Sequence, residues 1–460
     1  MHSKTKQFEE CGSMKIHISK TNYASDSVMI LFIVLYRLLL DLIYTKHLYP
    51  LFGYMGFEYN LDFGLISLSW LLLIITFPFV IKCSTRGDLS DVITLLLIYL
   101  SYIPFTTMVA YYGYSLGYIF ANTLYWIILL LSSYYLPSPK KHFDLKIANK
   151  QYVLSIIEIL FSFTILYISW RYTGFRFSID LSQVYAYRME ARLSSMPTVL
   201  NYLFAASKAV IPILLVYYLD VKKYWHAGLL LLIQIFSFSI NGSKTVLFGT
   251  LLSIILFIIY NNRYLKTIPQ LLLGVSVVAF IETSLFKSYF VLSYFLRRVL
   301  FLPNMLGEYY FDFFSTNEPD YYRQSFLRLF GVKSPYSEID NLIGTLYFNK
   351  PDMAANNGLS SDAITNLGYI GLIVMPYVLM MVLKYLDKCT YGIDKRIYIS
   401  TAITYSVIII SSFLPTILLS HGLFVLSLVL LLLPRFNNQN SEANNDIQKN
   451  NKKSIASKGQ

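Results

Sequence analysis

The chain has 460 residues, of which 55% are hydrophobic and only 14% charged, with a mean hydropathy of +0.51. This balance excludes a water-soluble globular domain, whose core cannot shelter so much apolar surface. The formal net charge of +12 would suggest nucleic acid in a soluble protein. In a membrane chain it points to loops facing anionic lipid, so membrane lipids are expected partners and nucleic acid is not.

The first 27 residues are polar and carry Lys4, Lys6, Lys15 and Lys20. The apolar run after them contains Arg37 and Asp41, an i, i+4 pair, and no small-residue cleavage site comes after it. It reads as an uncleaved first span. A helical span needs about 20 mostly apolar residues. The apolar runs predict about twelve, at 28–45, 61–81, 92–113, 116–136, 152–171, 198–220, 226–241, 245–260, 267–285, 362–384, 397–414 and 416–434. The seventh and eighth are short, and the last two form a tight hairpin around Pro415. The expected fold is therefore an all-α polytopic transmembrane helical bundle over 1–434, with 435–460 as a disordered cytoplasmic tail.

Orientation follows from loop lysines and arginines. With the N-terminus inside, the inner loops hold Lys82 and Arg86, then Lys140, Lys141, Lys146 and Lys150. Next come Lys222 and Lys223, Arg263 and Lys266, and Lys384, Lys388, Lys395 and Arg396. Both termini are expected in the cytoplasm. Cys11, Cys83 and Cys389 then lie on or near the reducing side, with no disulfide framework or CxxC site.

Two long segments fall on the outer side, 172–197 and 286–361, and both carry arginines against the charge rule. In the first, Asp180 and Gln183 have capping-box spacing and Pro197 marks a helix boundary. Leu181, Tyr185, Arg188 and Arg192 fall on one helical face. Arginine grips phosphate with two parallel hydrogen bonds. A surface helix touching headgroups, or pairing with Glu190, is the plainer reading. In the second, Arg297 and Arg298 sit in an aromatic stretch where charge is costly unless it faces a cavity or partner. Arg323 and Arg328 lie in an amphipathic stretch that could simply rest in the interface. Glu308 and Asp312, four apart, could orient arginines or accept a proton from a sugar hydroxyl. Lys208, near the middle of the sixth span, either faces a ligand cavity or pairs structurally, with Glu158 in the fifth span at a different depth. Lys244 caps the outer end of the seventh span, and Gly242 permits a turn that could aim it inward. His421 stands alone near the last hairpin, where a structural role is the common one. No Walker A, HExxH, GxSxG or outer DxD motif occurs, so neither metal nor nucleotide cofactor is expected.

Several stretches resemble the bacterial O-antigen polymerases (Wzy), the oligosaccharide repeat-unit polymerases. They are YAYRMEARLSSMP at 185–197, NGSKTVLFG at 241–249, LRRVLFLPNMLGEYYFDFF at 296–314 and NNGLSSDAITNLGYIGLI at 356–373. The long outer segment before the tenth span is also the family's layout. The resemblance implies a GT-C-like, metal-independent glycosyltransferase of the bacterial inner membrane. It would join undecaprenyl-pyrophosphate-linked oligosaccharides on the periplasmic side, with a chain-length regulator as a candidate further partner. By position, the family's loop arginines correspond to Arg188 and Arg297/Arg298, with Arg192 beside them. Arg298 is followed by Gly307, as in family spacings, whereas no glycine follows Arg188 in the first segment. The expected catalytic set is Arg188, Arg297, Arg298, Glu308 and Asp312. Arg192, Lys208, Lys244, Arg323 and Arg328 would bind substrate. An O-antigen ligase and a lipid-linked oligosaccharide flippase are the rival readings.

Overall fold

The computed structural model describes residues 26–138, 147, 149–180 and 183–435. Within these, the side chains of Val184, Tyr185, Arg192, Thr245, Asn262, Arg263 and Leu329 are outside the description. The basic loop 140–146, the first 25 residues and the tail from 436 onward lie outside the described residues, and so do the expectations placed on them.

The described chain is helical throughout and forms no strand. Nine described helices are long and apolar enough to cross a membrane. They are α1 (Asp26–Met55), α2 (Phe63–Arg86), α3 (Leu89–Tyr111), α4 (Leu116–Tyr135), α5 (Lys150–Thr173), α7 (Thr198–Asp220), α8 (Tyr224–Asn241), α10 (Tyr264–Leu285) and α13 (Ser360–Thr390). Between them stand α6 (Val184–Leu193), α9 (Lys244–Ile259), α11 (Leu302–Thr316) and α12 (Ile339–Phe348). The chain closes with α14 (Lys395–Ser411), α15 (Leu414–Leu418) and α16 (Leu423–Leu432). The other three expected spans are thus helices of 16, 17 and 10 residues. The last pair is broken where Ser412 is extended and Pro415 opens α15.

Local chemistry sets the helix starts. Asp62 accepts from the Gly64 and Leu65 amides ahead of α2, Ser115 from Tyr118 ahead of α4, and Asp88 with Asp91 forms a capping box ahead of α3. Such caps satisfy orphan backbone donors. The many exposed apolar side chains, among them Leu71, Ile159, Phe163, Ile258 and Ile370, suit a lipid-facing surface. In contrast, α3 is buried along its apolar length and packs against α2, α13 and α14.

Several charges inside the bundle are matched. Arg37 pairs with Asp41, as their spacing predicts, and also donates to Thr106 Oγ1 (2.9 Å) and Ser69 Oγ (3.0 Å). Glu158 accepts from Tyr218 Oη at 2.6 Å and lies 3.0 Å from His226 Nδ1, which settles its partners away from Lys208. Such matching is what makes intramembrane charge tolerable.

Alternate helix ends gather into two groups. At one end Lys266 meets Asp26 (2.7 Å), Arg396 meets Asp220 (3.7 Å), Lys395 donates to Gly87 O (2.5 Å) and Arg435 to Cys389 O (2.7 Å). These residues belong to the expected inner basic set and its partners. At the other end, the Ser115 amide donates to Glu308 and the Leu414 amide to Asp362. The expected outer segment 286–361 does not simply cover this end. Asn304 at the start of α11 donates to Ser101 O, midway along α3, and Tyr118 Oη donates to Asn304 O. The segment dips into the bundle because its first part, FLRRVLFLPNML, is apolar on one side.

Candidate functional site

Arg188 stands on α6, which packs on α8. The described helix begins at Val184 with Gln183 in the N-cap position and no side-chain cap there; Leu181 and Ser182, which the capping box expected from Asp180 spans, lie outside the described residues. Glu190 is engaged by Arg176, whose Nη1 lies 2.6 Å from it and whose Nη2 donates to Ser239 O at 2.7 Å. The Arg176 guanidinium also covers the Tyr187 ring at 4.0 Å. This clamp docks α6 and removes the carboxylate expected to pair with Arg188. Arg188 is exposed and lines a cavity of about 350 Å³ with Ser194, Asn201, Phe204 and Asn241. The Arg192 side chain lies outside the described residues.

A second cavity, of about 340 Å³, adjoins the first. Ser243 lines both, and Phe204, on the wall of the first, has its ring 4.5 Å from Lys208 Nζ on the wall of the second. Lys208 has no carboxylate partner among the described residues. Hydroxyls of Ser253, Ser400, Thr401, Thr404 and Tyr405 face the same space, together with His421. Its walls are shared between α7, which carries Lys208, and the short helices. Ser253 belongs to α9, Tyr405 to α14, and His421 precedes α16. Gly422 brings His421 against α7. Its φ is +71°, and a Cβ there would fall 2.7 Å from Ala206 Cα, so a side chain would meet both strain and a backbone. His421 Nε2 lies 3.1 Å from Ser412 Oγ, and Tyr405 Oη donates to His421 O at 2.7 Å. Burial, and then the Lys208 charge, holds the imidazole below its ordinary pKa.

Arg297 and Arg298 line a third cavity of about 350 Å³, with Tyr54, Tyr347 and Lys350. Arg297 lies 4.7 Å over the Phe52 ring, and its Nη2 donates to Ser293 Oγ at 3.2 Å. Its Nε has no hydrogen-bond partner among the described residues. Burial and the neighbouring Arg298 charge pull the Arg297 pKa down. Glu308 and Asp312 lie behind this wall rather than on it. Tyr347 donates to Asp312 Oδ2 at 2.5 Å and stacks on Tyr309 at 4.5 Å, while the Ser115 amide donates to Glu308 Oε1 at 2.8 Å. Burial raises the Glu308 carboxyl above the usual carboxylate range, against that hydrogen bond.

The structure thus joins Arg188 with Lys208, and Arg297 with Arg298, but does not bring the two sets into one cavity. Lys244 is exposed and is not on the wall of any of these cavities. Arg323 is held by Glu318 (3.0 Å) and by the Asp320 and Pro319 carbonyls, a structural clamp. Arg328 is exposed on a 3₁₀ turn, away from these walls. Sequence reasoning missed Arg176, Lys350 and the placement of His421. No sequence spacing connects His421 to Lys208, and only the glycine beside the histidine hints at a close approach. Among the described residues no three His, Cys, Asp or Glu gather as metal ligands. Comparison of the chain with protein-family models, with curated proteins and with solved structures finds no match.

Proposed function

We propose that this chain is an O-antigen polymerase, a GT-C-like glycosyltransferase of the inner membrane that joins undecaprenyl-pyrophosphate-linked repeat units on the periplasmic face. The observation that carries the reading is the pair of adjoining cavities around Arg188 and Lys208. They put cations and hydroxyls inside an apolar bundle. An amphiphile with a pyrophosphate head and a prenyl tail matches that chemistry. In the transfer, an acceptor hydroxyl oxygen bonds to the donor's anomeric carbon. The bond from that carbon to the phosphate oxygen breaks, and undecaprenyl pyrophosphate leaves with the electron pair. Arg188 and Lys208 stabilise the growing negative charge in a partly dry site. The hydroxyl proton passes to His421, whose lowered pKa keeps it neutral near pH 7. Arg297, Arg298 and Lys350 form a second anion-binding surface, with Asp312 holding the Tyr347 ring of its wall.

The test is the lipopolysaccharide banding of a deletion strain. Loss of long chains with a single repeat unit kept on the lipid A core supports the reading. Loss of all O-antigen from the core would instead indicate a ligase or flippase. The orientation is tested by reporter fusions at residues 20 and 445, both of which should report cytoplasm. A periplasmic report from either would reverse or re-count the spans.

A further inference from the structure

A fourth cavity, of about 210 Å³, has a different chemistry. Its walls carry the carboxylates of Asp320 and Asp340, the amides of Asn356 and Asn357, and the rings of Tyr310 and Phe413. Among the described residues no lysine or arginine lines it. Asp320 is buried with both oxygens engaged, accepting from Ser334 Oγ (2.6 Å) and the Gln324 amide (2.9 Å). Asp340 is half-buried. One of its oxygens accepts from the Asn341 amide at 3.0 Å, and the other has no partner among the described residues. Asn356 is exposed, with no side-chain hydrogen bond among the described residues. Nearby, Gly358 donates to Ile410 O at 3.0 Å, which presses this stretch of chain against the end of α14. The Asn357 amide is held by Pro303 O (2.9 Å) and Ser361 Oγ (2.8 Å), which leaves Asn356, among the described residues, as the free amide on the wall.

The position of this cavity is as informative as its lining. Phe413 and Thr416 bring the short α15 to its wall, while Ser420 and His421, just beyond α15, line the Lys208 cavity. Ser412 lines the fourth cavity and its Oγ lies 3.1 Å from His421 Nε2. One hydrogen bond therefore connects the two spaces.

We propose that the fourth cavity binds the neutral terminal sugar of the acceptor chain. The inference rests on the polymerase reading and deepens it. In that reaction the nucleophile is a hydroxyl on a sugar far from the acceptor's own pyrophosphate. Its site must sit beside the cationic cavity yet need no cation. Carboxylates repel phosphate and accept hydrogen bonds from hydroxyls, while amides both donate and accept. Aromatic rings offer faces to sugar C–H groups. The volume is below the ~300–1,000 Å³ usual for drug-sized ligands and suits one ring rather than a chain. The Ser412–His421 contact places the bound hydroxyl near the group that takes its proton.

The experiment uses the purified full-length protein with two probes. The donor is the lipid-linked repeat unit extracted from a deletion strain. The acceptor is the same oligosaccharide freed from its lipid and pyrophosphate by mild acid, which has no leaving group and can only accept. Asp340→Asn and Asn356→Ala should each raise the half-saturating concentration of free oligosaccharide by about tenfold, the scale of one lost hydrogen bond to a charged or amide group. Half-saturation by the lipid-linked donor should stay within about twofold, and Arg188→Ala should show the opposite pattern. Asn356 has no internal partner to lose among the described residues, so its variant guards against a folding artefact. Unchanged acceptor half-saturation in both variants sinks the acceptor site while leaving the polymerase reading intact. A wild-type protein that builds no polymer from lipid-linked units removes both.

Discussion

The cavity around Lys208 and the cavity around Arg297 hold the same kind of charge by different means. At Lys208 the bundle is thinned by α9, α14 and α16, all shorter than the flanking spans, and hydroxyls replace apolar side chains on the walls. At Arg297 the guanidinium lies against the Phe52 ring, 4.7 Å away, where burial and then the charge of a second arginine depress its pKa. The first arrangement leaves Arg188 exposed and sets Lys208 beside the Phe204 ring at 4.5 Å, with hydroxyls rather than a second cation on the wall it shares. The second employs one arginine partly as a packing element and leaves Arg298 exposed as the group free to bind. Burial and orientation, rather than residue type, separate an arginine that binds from one that packs.

This contrast puts the largest expected effect at the first cavity. Arg188→Ala and Lys208→Met should each lower the rate of chain extension by about 10²–10³, the usual cost of losing one preorganised donor to developing charge. Protein abundance should persist, because neither side chain has an internal ion-pair partner among the described residues. Arg188→Lys should rescue poorly for lack of a bidentate fork. Gel banding and abundance by immunoblot decide the matter, and normal ladders from both Arg188→Ala and Lys208→Met would relegate this cavity to structure.

At the second cavity the two arginines should separate. Arg298→Ala should sharply reduce long-chain product, by about tenfold or more, without changing thermal stability. Arg297→Ala should reduce product too and also destabilise the protein by about 0.5–1 kcal/mol or more, through the lost cation–π contact. A thermal shift equal in both variants would show that the contrast between binding and packing arginines is wrong.

Much of this layout is legible in the sequence, and the reasons it is not complete are physical. Nine of the twelve expected segments are helices long and apolar enough to cross a membrane, because apolar runs of span length have few alternatives in lipid. The other three hold shorter helices, and the last is broken between α15 and α16. Arg37 and Asp41 pair as their i, i+4 spacing predicts, since helical periodicity is local. The 286–361 segment reads as an outer loop, yet α11 reaches Ser101 in the middle of α3. The π-helix Leu292–Phe301 runs straight into α11 with Arg297, Arg298, Glu308 and Asp312 along it, so the segment lacks the uncharged apolar run that marks a span. Arg188 and Arg298 are visible as charges out of place. Their separation into two cavities is not, because contacts between remote segments leave no trace in a single chain. His421 reads as a lone residue because its neighbours Lys208 and Ser412 come from α7 and from the break after α14.

A smaller effect should appear in the pH profile. His421 titrates below its ordinary range because burial and then Lys208 oppose its protonation. The neutral form, which can take a proton, therefore persists to more acidic pH than for a free imidazole. On the acid side, extension should hold steady down to about pH 6.5, the ordinary histidine value, and fall about tenfold per unit only further down. Ser412 and Tyr405, the other groups that touch it, do not titrate in this window. His421→Gln should lower the plateau and abolish the acid limb. An acid limb unchanged in that variant would assign the proton transfer to another group, with the raised carboxyl of Glu308 the first to examine.

The smallest expected effect is that of chelation. In many phosphoryl and pyrophosphate chemistries a divalent metal neutralises the leaving group. Here the proposed reading gives that task to Arg188 and Lys208, and among the described residues no carboxylate lines either of their cavities, while several carboxylates elsewhere are engaged. Asp312 accepts from Tyr347, Glu308 from Ser115, and Asp320 from Ser334 and Gln324. Asp362 is tied to Asn366 and to the Leu414 amide. A divalent ion in the Arg188 and Lys208 cavities would find no carboxylate on their described walls. Purified protein should therefore extend lipid-linked repeat units in EDTA at close to its untreated rate. Activity that disappears with EDTA and returns with magnesium or manganese would break the contrast between the Lys208 and Arg297 cavities. The charge would then be carried by metal held on Glu308 and Asp312 behind the Arg297 wall, and the Lys208 cavity would lose its claim to the leaving group.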